Sequence, residues 1–247
     1  PFLLRDMDPA VDRILRGIRA HERIGVYGDY DVDGVTATAI LCRALRRLGG
    51  DVSYYIPHRV EEGYGISRVG IEDAARRGVR LIVSVDCGIT AGPEIAYAAT
   101  VGIDTIVTDH HQPGPLPPAL AVINPKRGDC PYPFKELSGA ALGFKLADAL
   151  HRRSDRDPQP LYDDLDLVAL GCAADNVPLV GENRLLVKHG LERMQVTGNV
   201  GLRALIEGVG LRGKPIGTGQ VVFTLAPRIN AVGRMGNAME AVELLMT

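Results

Sequence analysis

The chain has 247 residues, 46% of them hydrophobic, with 28 basic and 30 acidic side chains and a net charge of −2. That is enough apolar material for one large packed domain, or for a domain with an appendage. It argues against the strongly basic surface of a protein that coats nucleic acid. No stretch approaches the roughly 18 uninterrupted apolar residues of a membrane span. No secretory pattern opens the chain, and Cys42, Cys87, Cys130 and Cys172 include no CxxC pair, so neither a zinc ribbon nor a redox motif is indicated. A cytoplasmic protein with reduced thiols and no membrane partner is the expectation. Arginine makes up 23 of the 28 basic residues; its planar fork suits phosphate, although a coding sequence rich in G and C gives the same bias.

The elements alternate from the start. Asp8 to Ala20 places Val11, Ile14, Leu15 and Ile18 on one helical face. A strand is expected over Ile24 to Tyr27, then a helix from about Val35 to Leu48, stopped by Gly49 and Gly50. Asp51 to Ile56 reads as a strand, Ser67 to Arg77 as a helix stopped by Gly78, and Leu81 to Val85 as a strand. Ala91 to Thr100 reads as a helix and Thr105 to Val107 as a strand. Short β-rich runs alternating with helices imply βαβ units and a parallel sheet flanked by helices, an α/β fold. A proline-rich connection, Pro113 to Pro118, leads to a brief apolar run, Leu120 to Ile123. Beyond it the alternation stops: Ser138 to Arg152, Leu161 to Cys172, Gly181 to Gln195 and Val200 to Glu207 read as helices, with Arg153 to Pro160 as a loop between them. The chain opens on Pro1 and stops inside the amphipathic run Ala238 to Met246, so a further segment is expected to follow.

In an open parallel sheet the ligand crevice lies beyond the carboxyl ends of the strands. Three segments deliver acids or imidazoles there: Asp29, Asp31 and Asp33 after the first strand, Asp86 after the third, and Asp109, His110 and His111 after the fourth. The Asp-x-Asp-x-Asp-Gly spacing opens a calcium loop, but position twelve would then be Glu and here it is Ile40. One Asp suffices to cap the following helix, whereas three within five residues repel one another unless a cation neutralises them. Gly34 is expected just ahead of that helix, letting backbone approach an anion. Asp86 alone is as readily a helix cap as a ligand; its place at the same edge favours the ligand. Asp109 could orient a neighbouring imidazole through its second nitrogen. Asp175 closes an apolar helix, where the macrodipole disfavours a carboxylate and calls for a cation. Hard and borderline donors of this kind suit Mn²⁺ or Mg²⁺ and point to metal-assisted hydrolysis of a phosphate ester.

The segments DYDVDG (29–34), VDCG (85–88), TDHH (108–111) and CAAD (172–175), in this order and with these strand contexts, resemble the DHH phosphoesterase superfamily. The segments RVEEGYG (59–65), LSGA (137–140) and PRINAVGR (227–234) narrow the resemblance to RecJ-type single-strand-specific DNA exonucleases. The resemblance implies a DHH catalytic domain over 1–235, with its βαβ sheet part in 1–125 and a mainly helical part in 126–235. Residues 236–247 would begin a linker helix to a second domain. It implies two ions, Mn²⁺ or Mg²⁺, sharing Asp86: Asp31 on the first, with Asp29 near it or ligating, and Asp33, His110 and Asp175 on the second. His111, Asp86 and Asp109 are the implied catalytic residues. Arg59 and His111 would contact the scissile phosphate, and Arg228 would lie near the nucleic-acid path. The implied activity is 5′-to-3′ digestion of single-stranded DNA to mononucleotides in DNA repair and recombination, with a helicase and a single-strand-binding protein as candidate partners. One departure is Tyr27, where several superfamily relatives carry a His. A hydrolase of short oligonucleotides or cyclic dinucleotides, and a non-catalytic nucleic-acid-binding relative, remain as alternatives.

Overall fold

The computed structural model describes residues 1–58, 61–235 and 238–247. Five strands, β1 (Arg23–Tyr27), β2 (Asp51–Tyr55), β3 (Val79–Val85), β4 (Asp104–Thr108) and β5 (Ala121–Ile123), form one sheet in the order β2-β1-β3-β4-β5. Every pairing is parallel. Strand side chains alternate between the two faces, and each face is covered. Ile24, Val26, Leu81, Val83, Val85, Ile106, Ala121 and Ile123 share one core with α1 (Met7–Arg19), α2 (Val32–Arg47) and α5 (Gly139–Arg153). Tyr27, Ile82, Val107 and Val122 face the opposite way, into a core with α3 (Arg68–Arg76) and α4 (Gly92–Thr100). The sheet part therefore follows the expected alternation, with β5 added at the edge: the apolar run at 120–123 pairs with β4.

The strand order reverses between β1 and β3, which are neighbours although β2 intervenes in the chain. That switch point is where an open α/β sheet leaves a crevice at its carboxyl edge. The register aligns the strand ends there. Tyr27 lies opposite Ser84 and Val85 opposite Thr108, and the backbone N–H of Asp86 and of Asp109 extends the ladder to Thr108 O and Ile123 O.

The second half is helical. It comprises α6 (Gln159–Asp163), α7 (Leu165–Ala174), α8 (Gly181–Met194), α9 (Val200–Gly208), α10 (Thr218–Gln220), α11 (Ala226–Met235) and α12 (Ala238–Met246), with a π-helical turn over Val221–Leu225 joining α10 to α11. These helices build a third core around α2, which is buried on nearly all sides. α12 packs Ala238, Ala241, Val242 and Leu245 into it. Three expectations change. The segment 153–160 is not all loop: α5 runs through Arg153 and α6 starts at Gln159. The helix over 218–235 has no counterpart in the sequence pattern. And α2 begins at Val32 rather than Val35, because Asp31 caps it by accepting from the Gly34 N–H at 3.0 Å. Gly34 thus lies inside the first turn, where a Cβ would meet Asp29 backbone oxygen at 2.6 Å. It makes room for the chain's own backbone, not for an anion. Among the described residues, no helix is long and apolar enough to cross a membrane.

Candidate metal centre

The structure brings the predicted acids and imidazoles to the carboxyl edge, at the β1/β3 switch point. Asp29, Asp31 and Asp86 present carboxylate oxygens within 4.8 Å of one another; so do the ligating atoms of Asp33, His110 and Asp175, and those of Asp86, His110 and His111. His110 Nε2 lies 3.0 Å from Asp86, 3.6 Å from Asp175 and 3.9 Å from Asp33. Asp86 therefore belongs to the first group and touches the second.

Each element has a local reason to deliver its side chain. Asp86 follows β3 with φ at +62°, a left-handed backbone that costs a non-glycine residue on the order of 1–2 kcal/mol. Helix α5 starts directly against it: a Cβ on Gly139 would sit 2.5 Å from the Asp86 carboxylate. Asp33 projects from the first turn of α2 to the start of α5 and accepts from the N–H groups of Gly139 at 2.5 Å and Ala140 at 2.9 Å. Asp175 is the C-cap of α7, with extended backbone that turns it out of the helix. Its Oδ2, Asp29 Oδ1 and Asp86 Oδ1 are buried without a hydrogen bond.

Without a cation the electrostatics are unfavourable. Two unit charges 4.8 Å apart repel by roughly 3.5 kcal/mol at an effective dielectric of about 20, and the first group holds three. Burial, joined by the neighbouring carboxylate Asp31, pushes Asp29 up to about 7. Burial likewise raises Asp31, with Asp175 adding to it. Asp33 stands well above the usual range from burial, Asp175 and Asp31, despite its two backbone donors. Asp86 does so from burial and Asp33. Burial lowers His110 and keeps it neutral, the form that ligates a metal. Orphaned carboxylate oxygens, mutual repulsion and a neutral imidazole fit hard divalent cations.

Asp109 and His111 have a different task. His111 Nδ1 lies 2.7 Å from Asp109 Oδ1, which also accepts from the His111 backbone N–H at 3.0 Å. The other carboxylate oxygen accepts from the Ile89 N–H at 2.9 Å. Burial favours the neutral acid at Asp109, but these donors prevail and hold it below the ordinary carboxylate value. The same hydrogen bond raises His111. Asn124, one residue past β5, anchors the His111 carbonyl at 2.9 Å.

Of the two arginines expected at the substrate, one can be placed. Arg59 lies outside the described residues. Arg228 sits exposed on α11, its guanidinium donating to Thr224 O at 2.6 Å; among the described residues it makes no ion pair with the acids. Tyr27 does not replace a ligand. Its hydroxyl turns to Ser67, donating to Oγ at 3.2 Å and accepting from the N–H at 3.0 Å. The sequence missed Tyr64, whose hydroxyl reaches His111 Nδ1 at 3.1 Å and Asp86 O at 3.3 Å. It also missed the Gly139–Ala140 donors, since nothing in the local pattern links residues 33 and 139.

Comparison with known proteins places this geometry. The chain is 47% identical over 251 residues to the single-stranded-DNA-specific exonuclease RecJ of Bacillus subtilis (strain 168), covering 100% of this chain and 31% of that protein. It therefore spans about a third of that relative's length. It superposes on the crystal structure of an exonuclease RecJ bound to manganese with a TM-score of 0.89 and 43% identity, over 98% of this chain and 61% of that one. With RecJ from Thermus thermophilus in complex with Mn²⁺ the TM-score is 0.85 at 41% identity, over 99% and 35% of the two chains. The N-terminal domain of the DHH family matches residues 23–172, from the first strand through the last turn of α7. The chain belongs to the DHH family.

Proposed function

We propose that this chain carries the catalytic centre of a metal-dependent exonuclease that digests single-stranded DNA from 5′ to 3′ and releases mononucleotides, in DNA repair and recombination. The observation that carries the proposal is the pair of donor groups meeting at Asp86, with buried carboxylate oxygens on Asp29, Asp86 and Asp175 that no hydrogen bond satisfies. Asp29, Asp31 and Asp86 would hold one Mn²⁺ or Mg²⁺, and Asp33, Asp86, His110 and Asp175 a second. Bound there, two divalent ions supply Lewis acidity to the phosphoryl oxygens and an acidified water for in-line attack.

The chain's own groups do the rest. Asp33 keeps lone pairs for a cation while its two N–H donors fix its plane against the start of α5. His110 stays neutral. His111, with Nδ1 committed to Asp109, has Nε2 left to face a phosphate, and its raised pKa favours the cation that a phosphoryl oxygen attracts. Arg59 and Arg228 are assigned to the substrate strand. This activity needs a reaction that supplies single strands, so a helicase and a single-strand-binding protein are the proposed partners and the cytoplasm the proposed compartment.

The test is degradation of a 5′-phosphorylated single-stranded oligonucleotide in Mn²⁺, compared with a dinucleotide, a cyclic dinucleotide and a 5′-blocked strand. Mononucleotides released stepwise from the 5′ end of the long strand are expected. Preferential cleavage of either dinucleotide would overturn the substrate, and absence of Mn²⁺ binding by calorimetry would overturn the enzyme.

A further inference from the structure

Next to the acids and imidazoles runs a hydrogen-bond chain that neither metal binding nor core packing explains. It starts at Glu62. One carboxylate oxygen accepts from the Tyr55 hydroxyl and from the His58 N–H, both at 2.8 Å, and the other accepts from the Ser67 hydroxyl. Ser67 Oγ in turn accepts from the Gly70 N–H at 2.9 Å and caps α3. A single side chain thus ties the end of β2 to the start of α3 and closes the base of the segment between them.

That segment carries Tyr64. The residue is half exposed and flanked by Gly63 and Gly65, both at positive φ, 81° and 84°. Backbone of this kind has little conformational preference of its own, so the position of Tyr64 must be imposed from outside. Its hydroxyl donates to Asp86 O at 3.3 Å and lies 3.1 Å from His111 Nδ1, with the two rings edge-on at 80° and 5.8 Å between centroids.

We propose that Tyr64 is a positioning residue that fixes the ring of His111, and that Glu62 sets Tyr64 by clamping the segment that bears it. The proposal rests on the hydrolase function above, in which His111 faces the phosphate. The protons are consistent throughout. An ionised Asp109 only accepts, so Nδ1 of His111 carries hydrogen, shared between Asp109 Oδ1 at 2.7 Å and the Tyr64 oxygen. The Tyr64 proton is then directed to the carbonyl of Asp86. The hydroxyl links the His111 ring to the Asp86 peptide, held in a left-handed conformation, whose carboxylate belongs to the first donor group and lies 3.0 Å from His110 of the second. Asp109 alone fixes one atom of the imidazole; a second contact on the same nitrogen, from a ring packed edge-on, limits its swing.

Tyr64→Phe and Glu62→Ala, made in the intact protein, test this. With Mn²⁺ and a 5′-phosphorylated single strand, each is expected to lower kcat about tenfold with KM changed less than about twofold, the size seen when an outer support of a site residue is removed. Because both act through one chain, the double variant falls no further than the worse single one. Glu62→Gln, which keeps an acceptor oxygen, recovers part of the loss. A second readout needs neither metal nor turnover. With ¹⁵N-labelled histidine at one fixed pH, the His111 ring of the unmodified protein gives a single sharp set of signals with Nδ1 protonated. In Tyr64→Phe and Glu62→Ala those signals broaden or double. A merely structural role would lower the melting temperature and leave them untouched. Wild-type kcat with unchanged ring signals in Tyr64→Phe overturns the proposal. If the unmodified protein releases no mononucleotide, the hydrolase function falls instead, and the ring signals still decide whether Tyr64 orders His111.

Discussion

The two donor groups at the sheet edge, one of three carboxylates and one of two carboxylates and an imidazole, depend on different parts of the molecule. Asp29, Asp31 and Asp86 come from the loops after β1 and β3, adjacent strands whose register already brings their ends together. Asp33, His110 and Asp175 come from the first turn of α2, the end of β4 and the end of α7, and they meet only when the helical half is docked on α2. Asp33 is also fixed by backbone donors of α5, and a Cβ on Gly171 of α7 would meet Asp33 Oδ1 at 2.8 Å. The first group is a property of the sheet; the second is a property of the contact between the two halves. Asp86 joins them.

Loss of the joining residue should have the largest effect. Asp86→Ala removes a donor from both groups, so turnover in Mn²⁺ should fall at least ~10³-fold, about 4 kcal/mol of transition-state stabilisation. Near-normal cleavage by this variant would show that the two groups do not share a ligand.

Single-group changes should separate the halves. Asp31→Asn and Asp175→Asn are each expected to weaken one ion's binding by about 10–100-fold, so that calorimetry finds one tight ion where the proposal expects two in the unmodified protein. Destabilising the helical half by an unrelated core change, such as Leu202→Ala on α9, fully buried at 0% exposed, should weaken the ion held with Asp175 and spare the one held with Asp31. Equal weakening of both would erase the distinction. Gly139→Ala, next in size, would bring a methyl to 2.5 Å from the Asp86 carboxylate. It should cost about 1–3 kcal/mol by denaturant unfolding and reduce activity, because either α5 or Asp86 must move.

The same contrast explains what the sequence made legible. Strands β1, β3 and β4 are short apolar runs each followed within two residues by a carboxylate, and their parallel pairing follows from the helices between them, so the first donor group could be anticipated from residues 24–34 and 81–86. The second was assembled only through the family resemblance; the residue pattern alone could list its members but not bring them together. Asp33 looks like a member of the Asp29–Asp33 run, yet in the fold it reaches 106 residues along the chain to Gly139. The helix over 218–235 was hidden for a local reason. Val221, Val222 and Thr224 are β-branched, and Pro227 has no N–H to give the carbonyl of Phe223, which argues against a helix. The π-helical turn at Val221–Leu225, which ends two residues before the proline, widens the ladder where that bond is missing. Tyr64 escaped notice because its role depends on a loop clamped by Glu62, a long-range placement that no periodicity encodes.

The last expected effect concerns pH, and its sign distinguishes an empty centre from a filled one. Asp29 moves from an ordinary 3.8 to about 7 through burial and the Asp31 charge, and Asp31, Asp33 and Asp86 are raised in the same direction. Between those two values the folded chain binds more protons than the unfolded one, so stability is fully present below about 3.8 and is lost as pH rises through about 7. In the presence of a chelator, the denaturation midpoint should therefore be higher at pH 5 than at pH 8. A divalent ion competes with those protons for the same oxygens and binds the ionised form, so in Mn²⁺ the dependence should reverse, with the midpoint higher at pH 8. Asp29→Asn removes one of the titrating groups and should flatten the metal-free profile. A metal-free protein that grows more stable from pH 5 to pH 8 would mean that the carboxylates do not crowd one another, and the case for a cation between them would lose its electrostatic ground.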